Sequence, residues 1–405
     1  MNNFDMLHPV LHTQKIDLTH GDCASLYDAY GNRYLDFNQI CTTLGQNNKR
    51  FIKRMTEALN GMTSNKAGLA PAKEKLQKYL MDTTGHKFSY IHLTASGSEA
   101  TEWAVRTALK QTGKTEVLSF WNSIHGRTYL SASMSGMVQR KTDYGPIAPG
   151  VLLAAYPNCS HCPYEKKCED CNNFCLRFLD NKVKFEGAND VGAVIVEAYQ
   201  GSGVIPPPKG WLKALQDWAH AHGALFILDE VQSGMGRTGK LYRFEEEGLD
   251  PDMLLLGKSI VNGLHMGVIL SKNIPEEKYL KALTGGAGDD VLACSAACAV
   301  FEELLENGLL EHIDAMGKLM AEKLETLAEK YPAVNEIRSM GLAAAVELDT
   351  AEHQKAVQAA LRQARIFTSP SVNNCIMFKP PYTVTEEEIC LMADALDGCL
   401  AQLDK

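Results

Sequence analysis

An acidic residue and a lysine follow two neighbouring apolar runs in the middle of the chain, and both residue types can do chemistry. The run Ala224 to Leu228 ends at Asp229, and the run Met253 to Leu256 is followed by Gly257 and Lys258. Near-continuous apolar runs are typical of strands buried on both faces, and open α/β sheets bind ligands at the carboxyl ends of such strands. A lone acid or lysine at a strand end is usually a solvated surface residue, so the pairing of the two is the more specific signal.

A lysine and a carboxylate at one sheet edge are the pair that a pyridoxal 5'-phosphate (PLP) site needs. The lysine amine condenses with the aldehyde of PLP, and the carboxylate keeps the pyridine nitrogen protonated so that the ring can withdraw electrons. The turn Ser96-Gly97-Ser98 follows a predicted strand, Tyr90 to Leu93, and begins a predicted helix. Backbone N–H groups at such a turn bind anions such as a phosphate, although an ordinary serine N-cap has the same sequence.

A second glycine-rich segment, Gly234 to Gly239, matches G-x-G-x-x-G, the pattern of dinucleotide-binding folds. That pattern requires the glycines to lie directly between a strand and a helix. Here the segment Glu230 to Ser233 intervenes after the strand, and no amphipathic helix follows Gly239. The sequence therefore gives little support to an NAD site.

Strand and helix patterns alternate through the middle of the chain, which predicts an α/β fold. Further predicted strands are Val117 to Trp121, Ala193 to Val196 and Met266 to Leu270, and a helix is predicted over Trp211 to Ala221. The expected architecture is a large domain with a mixed, mostly parallel sheet, and a smaller α+β domain.

The final third of the chain has a different pattern, which predicts the smaller domain. We expect a long amphipathic helix around Met316 to Leu327, strands at Ala343 to Leu348 and Cys375 to Phe378, and a helix from Glu386 to Leu403. Residues Ala24 to Phe37 alternate as a hairpin and are expected to join this domain. The predicted boundaries are 1–44 for the N-terminal part of the small domain, 45–290 for the large PLP-binding domain and 291–405 for the C-terminal small domain.

Composition excludes several classes of protein. The 405 residues carry a formal net charge of -9, which argues against a nucleic-acid partner. No apolar run is long enough for a membrane span, and the N-terminus lacks the basic start and apolar stretch of a signal peptide. The sequence therefore predicts a cytoplasmic protein whose cysteines are reduced thiols.

The segment Leu228 to Lys240, with the sequence LDEVQSGMGRTGK, resembles the signature of class III aminotransferases, the group of 4-aminobutyrate and ornithine aminotransferases. Further matching segments occur in the order found in that family and span most of the chain. They are Ser96-Gly97-Ser98-Glu99-Ala100, His125-Gly126-Arg127-Thr128, Glu197 with Gln200-Gly201, Pro206-Pro207-Pro208, and Lys258.

This resemblance implies a fold-type I PLP enzyme that is a homodimer with its active sites at the subunit interface. It implies that Gly97 and Ser98 hold the phosphate of PLP, that Asp229 pairs with the pyridine nitrogen, and that Gln232 contacts the ring hydroxyl. Lys258 would carry PLP as a Schiff base and later shuttle the proton. Arg127 would bind a substrate carboxylate far from the reacting amine, because a guanidinium fork suits a carboxylate.

The sequence departs from the family at four places. Met377 replaces the arginine that usually binds the α-carboxylate, although Lys379 lies two residues further on the same strand face. Ser202 replaces the glutamate that pairs with that arginine, so both members of a charged pair are lost together. Ile124 replaces the aromatic residue that usually stacks on the PLP ring. The segment Gly286 to Ala293, which in relatives reaches the partner subunit's phosphate site, lacks its threonine unless Thr284 shifts into place.

Three functions from different classes are compatible with these residues. The first is a PLP-dependent aminotransferase that acts on a primary amine or an ω-amino acid through a Schiff base on Lys258. The alternative is a PLP-dependent amino-acid racemase or epimerase, or a decarboxylase or lyase, which Met377 and Ser202 favour. The third is a non-catalytic PLP-fold protein, favoured by Ile124 and by the altered partner segment.

A dense group of cysteines, Cys159, Cys162, Cys168, Cys171 and Cys175, has paired spacings typical of zinc or iron–sulfur ligands. Many class III members carry a similar insert with four of these cysteines. The corresponding ligands here are Cys159, Cys162, Cys171 and Cys175. A loop of free thiols is the alternative interpretation.

Overall fold

The structure is a computed structural model that describes residues 16–63, 70–276 and 291–403. Its strands are β1 (Leu18–Asp22), β2 (Ser25–Asp28), β3 (Arg33–Asp36), β4 (Tyr90–Thr94), β5 (Glu116–Phe120), β6 (Val151–Ala154), β7 (Val191–Glu197), β8 (Leu225–Asp229), β9 (Met253–Leu256), β10 (Gly267–Ser271), β11 (Val334–Met340), β12 (Ala343–Leu348), β13 (Ile366–Phe367), β14 (Ser369–Pro370) and β15 (Cys375–Phe378). Its helices are α1 (Lys49–Asn60), α2 (Pro71–Thr83), α3 (Gly97–Thr112), α4 (Tyr129–Met134), α5 (Phe174–Glu186), α6 (Trp211–Ala221), α7 (Arg243–Glu246), α8 (Val291–Glu306), α9 (Leu309–Lys330), α10 (Ala351–Gln363) and α11 (Glu386–Leu400).

A seven-stranded sheet in the order β4-β10-β9-β8-β7-β5-β6 forms the centre of the molecule. The strands β6, β5, β7, β8 and β9 run parallel, and β10 pairs antiparallel with both β9 and β4. The sheet is therefore mixed and mostly parallel, as the sequence predicted. Because β4 runs in the same direction as β9, the carboxyl ends of β4, β5, β7, β8 and β9 all lie at one edge.

Helices cover both faces of this sheet, which explains the near-continuous apolar runs of its strands. On one face, Ala193, Ile195 and Ile227 pack with the small side chains Ala100 and Ala104 of α3. The alternate residues of the same strands face the opposite layer, which contains α6. That layer includes Val194, Val196, Phe226, Leu228, Trp211, Leu212 and Leu215.

Two smaller sheets use the ends of the chain. The order β1-β2-β3-β13 joins the N-terminal hairpin to a strand from the C-terminal third, and the order β11-β12-β15-β14 forms a separate antiparallel sheet. The hairpin expected within Ala24 to Phe37 is present as β2 and β3. No helix within the described residues is long and apolar enough to cross a membrane.

The observed elements agree with most of the predicted ones. The helix Trp211–Ala221 and the strands Met253–Leu256 and Ala343–Leu348 have the predicted bounds, whereas the last helix ends at Leu400 instead of Leu403. The segment Gly234 to Gly239 forms a turn between β8 and the short α7, so the dinucleotide interpretation is excluded by the geometry it requires.

Candidate active site

The carboxyl ends of five strands bring the predicted chemical residues to one edge of the central sheet. Asp229 ends β8, Glu197 ends β7 directly beside it in register, and Lys258 follows β9 after one glycine. The segment with Ile124 and His125 follows β5, and the turn at Gly97 follows β4. The topology therefore assembles side chains that are far apart in the sequence.

Asp229 is buried and held in one orientation by two donors. Its Oδ2 lies 2.7 Å from Nδ1 of His125, and its Oδ1 accepts a hydrogen bond from the backbone N–H of Val231 at 3.0 Å. His125 is itself buried and donates its backbone N–H to the Ser135 hydroxyl at 3.0 Å. His125 belongs to a segment that matches the family, but no role for its ring could be predicted from the sequence. The structure shows that it positions the Asp229 carboxylate.

Lys258 begins a short 3₁₀ turn, Lys258–Val261, in the left-handed backbone region at φ 39°. A lysine rarely adopts this conformation, and such strain is concentrated at functional sites. Burial lowers the pKa of Lys258, while the charges of Asp229 and Glu197 oppose that shift. A lowered pKa leaves more of the amine neutral near pH 7, which is the form that attacks a carbonyl carbon.

The turn before α3 has the geometry of an anion site. Ser96 is the N-cap, and its hydroxyl accepts the Glu99 N–H at 3.2 Å while Glu99 accepts the Ala95 N–H at 2.9 Å. Gly97 and Ser98 occupy the first helical positions, whose N–H groups have no partner within the helix. A Cβ on Gly97 would lie 3.3 Å from Val231, so the backbone passes close to the wall of the site.

Glu197 is buried and its pKa is raised to about 7, mainly by desolvation, with His125 opposing the shift. Its carboxylate accepts the backbone N–H of Ile124 at 3.1 Å and that of Gly201 at 3.2 Å. These bonds fix the two segments that carry Ile124 and Ser202. The sequence matched Glu197 to a family motif without assigning it this role.

Gln232 and Lys379 form a second buried pair at this edge. The Lys379 Nζ donates to Oε1 of Gln232 at 3.1 Å and to the carbonyl of Gly201 at 3.0 Å. Desolvation lowers the pKa of Lys379 to about 7, with a further contribution from the charge of Lys258. Lys379 is therefore bound to Gln232 and to the backbone of Gly201, whereas the sequence predicted it only as a substitute for the missing arginine.

The positions that usually bind the α-carboxylate are closed by neutral contacts. The Met377 sulfur lies 3.5 Å from the Gly203 N–H, and Met377 packs against an apolar cluster that includes Tyr199 and Val204. The Ser202 hydroxyl donates to the Asn122 carbonyl at 2.5 Å. Neither side chain presents a charge to a ligand.

Gly203 is also linked to the cysteine-rich loop through buried Arg338. The Arg338 Nε donates to the Gly203 carbonyl at 3.0 Å, and its Nη1 pairs with Glu347 at 2.9 Å. The second oxygen of Glu347 lies 2.6 Å from the ring of His161, which is in the loop. A chain of polar contacts thus runs from the loop to the backbone beside Met377.

Arg127 is exposed, and its backbone N–H donates to the Ser98 hydroxyl at 3.1 Å. Its side chain lines a cavity of about 420 Å³ beside the sheet edge, together with Arg140, Lys141 and Tyr144. The sequence predicted Arg127 as a substrate residue, but gave no signal for Arg140 or Lys141, because neither lies in a matched motif.

The cysteine-rich loop brings five thiols around one small cavity. The sulfur atoms of Cys159 and Cys168 lie 2.9 Å apart, so Cys168 contacts a predicted metal ligand although it was outside the predicted set. Burial and the neighbouring thiols raise the pKa of Cys159 to about 12. Within the described residues, the one group of three possible ligand atoms lying mutually within 4.8 Å is His161, Glu336 and Glu347, not the cysteines.

The altered segment expected to reach a partner's phosphate site, Gly286 to Ala293, lies largely outside the described residues, as does Thr284. The structure describes this part of the chain from Val291 onward, as the start of α8. The prediction about the missing threonine therefore stays a prediction.

Comparison with known proteins agrees with this geometry. Residues 8–400 match the family Aminotransferase class-III. The chain is 31% identical to the acetylornithine aminotransferase of Caldanaerobacter subterraneus subsp. tengcongensis, covering 96% of this chain and 95% of that protein. It is 27% identical to the leucine/methionine racemase of Thermococcus litoralis, covering 94% and 90%. The structure of a PLP-bound amine transaminase from an uncultivated Pseudomonas species is 25% identical with a TM-score of 0.88, covering 96% and 95%.

The fold and the matches define a PLP-dependent enzyme. More specifically, the chain belongs to the class III aminotransferase family, and PLP is the cofactor of that family. The residues present fit this cofactor. The first helical N–H groups at Gly97 and Ser98 have no partner within the helix, a buried carboxylate is fixed at Asp229, and the Lys258 amine has a lowered pKa at the same edge.

Proposed function

We propose that this chain transfers the amino group of a primary amine or an ω-amino acid, with PLP held as a Schiff base on Lys258. The observation that carries the proposal is the placement of Lys258, with its lowered pKa, one strand away from the fixed carboxylate of Asp229. The neutral contacts of Met377 and Ser202 support a donor whose reacting carbon carries no carboxylate.

PLP, when bound, supplies a ring that withdraws electrons from the carbon bearing the substrate's amino group. We assign Gly97 and Ser98 to the phosphate, Gln232 to the ring hydroxyl and Ile124 to one ring face. The Asp229 carboxylate, which His125 holds in place, would keep the pyridine nitrogen protonated. The Lys258 amine would take up the proton from the substrate carbon that carries the amino group and hold it for return.

A donor half-reaction tests this proposal. A primary amine or ω-amino acid, added in the absence of any oxo-acid acceptor, is expected to convert the bound cofactor to its amine form, read from the visible absorption. The Lys258→Ala variant is expected to bind PLP without that conversion. If no donor in a broad panel of amines and ω-amino acids converts the cofactor of the unaltered protein, the aminotransferase proposal fails.

The racemase alternative has one specific observation in its favour: Met377 and Ser202 leave no charged pair for the carboxylate of an oxo-acid acceptor, and a racemase needs no acceptor. A racemase is also among the relatives. The two reactions differ in their products. A racemase exchanges the α-hydrogen of an amino acid with solvent deuterium and leaves the cofactor spectrum unchanged after turnover. Exchange and loss of optical activity without an oxo-acid product would favour the racemase.

The finer predictions about assembly and location belong to the same proposal. We propose a cytoplasmic homodimer with its active sites at the subunit interface, divided as 1–44 and 291–405 for the small domain and 45–290 for the large domain. Pairing of β13 with β3 supports the joining of the two chain ends. Sedimentation equilibrium at several protein concentrations tests the dimer, and a monomer at all concentrations would overturn it.

We also retain the proposal that the cysteine-rich loop binds zinc or an iron–sulfur cluster through Cys159, Cys162, Cys171 and Cys175. The support is that these thiols, with Cys168, line one small cavity. Binding would require the sulfur atoms to move closer together, because they do not form a ligand set in this structure. Metal analysis of protein purified without oxygen is the test, and the absence of both metals would remove the proposal.

A further inference from the structure

The cavity beside Arg127 has an unusual charge. It is lined by residues 126–129, 132–133, 139–141 and 144–147, and we call it the basic cavity. Its charged lining residues are Arg127, Arg140 and Lys141, and none of the lining residues is acidic. Three cations therefore face about 420 Å³ of space without a carboxylate among the residues that line it.

These cations also lack the ion-pair partners that several basic residues elsewhere in the chain have. Arg50, Arg243 and Arg338, for example, each form ion pairs with glutamates. In the parts of the chain that the structure describes, no carboxylate lies within ion-pair distance of the Arg127, Arg140 or Lys141 side chain. Grouping such charges without counter-charges costs free energy, which a bound anion offsets.

The pKa values of Arg140 and Lys141 are consistent with this cost in free energy. Both are half-buried, and burial lowers the pKa of each, with the charge of Arg127 adding to the effect on Arg140. A negative group in the cavity would reverse these shifts, because an opposite charge favours the ionised form of a base.

The basic cavity lies beside the phosphate turn, and one of its cations is close enough to Lys258 to act on its charge. Arg127 lies two residues after His125, and its backbone is bonded to the Ser98 hydroxyl at the phosphate turn. The charge of Arg140 acts on Lys258, whose pKa it helps to lower, and is itself attracted by Glu197. An anion in the cavity would therefore belong to a molecule whose other end reaches Lys258.

We infer that the basic cavity binds the distal end of the amine substrate and that this end is a dianionic group, such as a phosphonate or a phosphate ester. The inference rests on the proposed function, which supplies the amine. A single carboxylate would balance one guanidinium fork at Arg127. It would leave Lys141 without a counter-charge and Arg140 with only the charge of Glu197, which is beyond ion-pair distance. A tetrahedral dianion offers several oxygens, enough for two arginines and a lysine at once.

Binding without turnover tests the inference independently of the reaction. The holoenzyme is titrated by calorimetry at pH 8 with 2-hydroxyethylphosphonate, a dianion, and with 2-hydroxyethanesulfonate, a monoanion of similar size and shape. Neither has an amine, so neither can react. We expect the phosphonate to bind at least about tenfold more tightly than the sulfonate. A tenfold ratio of affinities corresponds to about 1.4 kcal/mol, the free energy of a pKa shift of one unit.

Variants assign that preference to the cavity. Arg140→Gln and Lys141→Gln should each reduce the ratio by several-fold, whereas Arg106→Gln should not. Arg106 is an exposed arginine on α3 that stacks on Trp103 outside the cavity, so it controls for net charge. Thermal unfolding of each variant confirms that it is folded. Because there are two separate cavity variants, the test remains possible if one of them does not fold.

Two results would overturn the inference. One is an equal affinity for the phosphonate and the sulfonate, or a preference that both cavity variants retain. The other is a loss of PLP affinity in both variants with the preference unchanged, because the cations would then serve the phosphate of the cofactor. If the phosphonate preference holds and no amine donor reacts, the cavity assignment stands and the proposed aminotransferase function fails.

Discussion

At the scale of single residues, the site depends on side chains that hold other side chains. His125 contacts the carboxylate of Asp229, Glu197 holds the backbone of Ile124 and Gly201, and Lys379 holds Gln232. The sequence indicated Asp229 and Lys258 because their types and their places at strand ends match the chemistry of PLP, and it indicated Gln232 through the resemblance to class III aminotransferases. It could not indicate the supporting residues, because their role depends on contacts between segments far apart in the chain.

Removal of the His125 ring should weaken catalysis through Asp229. The variant His125→Leu loses a hydrogen bond to a charged group, worth about 1.5–3 kcal/mol, so we expect kcat/KM to fall about 10- to 100-fold. Because His125 is a positioning residue, the pH dependence of the cofactor absorption should also shift. His353→Leu is the matched control, since His353 forms a similar 2.6 Å contact with Asp349 far from the site. Unchanged activity and spectrum in His125→Leu would contradict this role.

Lys379 should make stability depend on pH. Its pKa is about 7 in the folded protein and near 10.5 when exposed, so unfolding takes up a proton between these values. The penalty for burying its charge is complete below pH 7 and shrinks as the pH rises, by at most about 1.4 kcal/mol per unit. The thermal unfolding midpoint of Lys379→Met, relative to the unaltered protein, should therefore be highest at or below pH 7 and decline toward pH 9.

The test of this prediction is how the difference in unfolding midpoint between Lys379→Met and the unaltered protein changes with pH. Its value at a single pH is not decisive. The substitution also removes two hydrogen bonds, to Gly201 and Gln232, and that loss changes little with pH. A difference in midpoint that stays constant from pH 6.5 to pH 9 would show that Lys379 does not titrate in this range.

At the scale of elements, most of the fold could be predicted because the strands are buried on both faces and stand out as apolar runs. The bounds of β9, β12 and α6 were predicted to the residue. The edge strand β6 and the strand β11 were not predicted. β11 has a largely polar sequence with few buried residues, and its place depends on pairing with β12.

The first turn of α3 links helix stability to cofactor binding. Ser96→Ala removes the N-cap hydrogen bond to Glu99, which should destabilise the protein by about 1 kcal/mol and weaken PLP binding several-fold, because the N–H groups at Gly97 and Ser98 become less ordered. Equilibrium dialysis measures the affinity for PLP.

Thr350→Ala is the control for that cap. Thr350 caps α10 through an equivalent bond to His353, on an element that does not touch the site. It should cost similar stability and leave PLP affinity unchanged. Equal effects of the two substitutions on PLP affinity would mean that the cap at Ser96 acts only on global stability.

At the scale of the whole molecule, polar contacts connect the cysteine-rich loop, the sheet β11-β12-β15-β14 and the backbone at Gly203. Arg338 on β11 joins the Gly203 carbonyl to Glu347 on β12, and Glu347 contacts His161 in the cysteine-rich loop. The Ser160 hydroxyl adds a second bond from the loop to Glu336 at 2.9 Å. These bonds hold the cysteine-rich loop against the small antiparallel sheet. Arg338 of that sheet in turn binds the backbone at Gly203, which contacts Met377.

This chain of contacts predicts that substrate binding changes the reactivity of the loop. Cys168 is exposed, so iodoacetamide can reach its thiol, and mass spectrometry gives its labelling rates with and without a donor amine. We expect a donor amine that contacts Met377 to change these rates by about twofold or more, the low end of couplings carried by packed networks. In His161→Ala the rates should no longer respond to the donor. A response that persists in this variant would exclude the route through Glu347.

The contact between His161 and Glu347 therefore has a consequence for how the enzyme is regulated. Coupling between two binding sites is reciprocal, so if a bound amine changes the affinity of the loop for a metal, that metal changes the affinity for the amine by the same factor. Oxidation of the exposed thiols, or a metal drawn into the loop, would then act as an allosteric effector. In this way the affinity of the protein for its amine substrate would depend on the redox state of its surroundings.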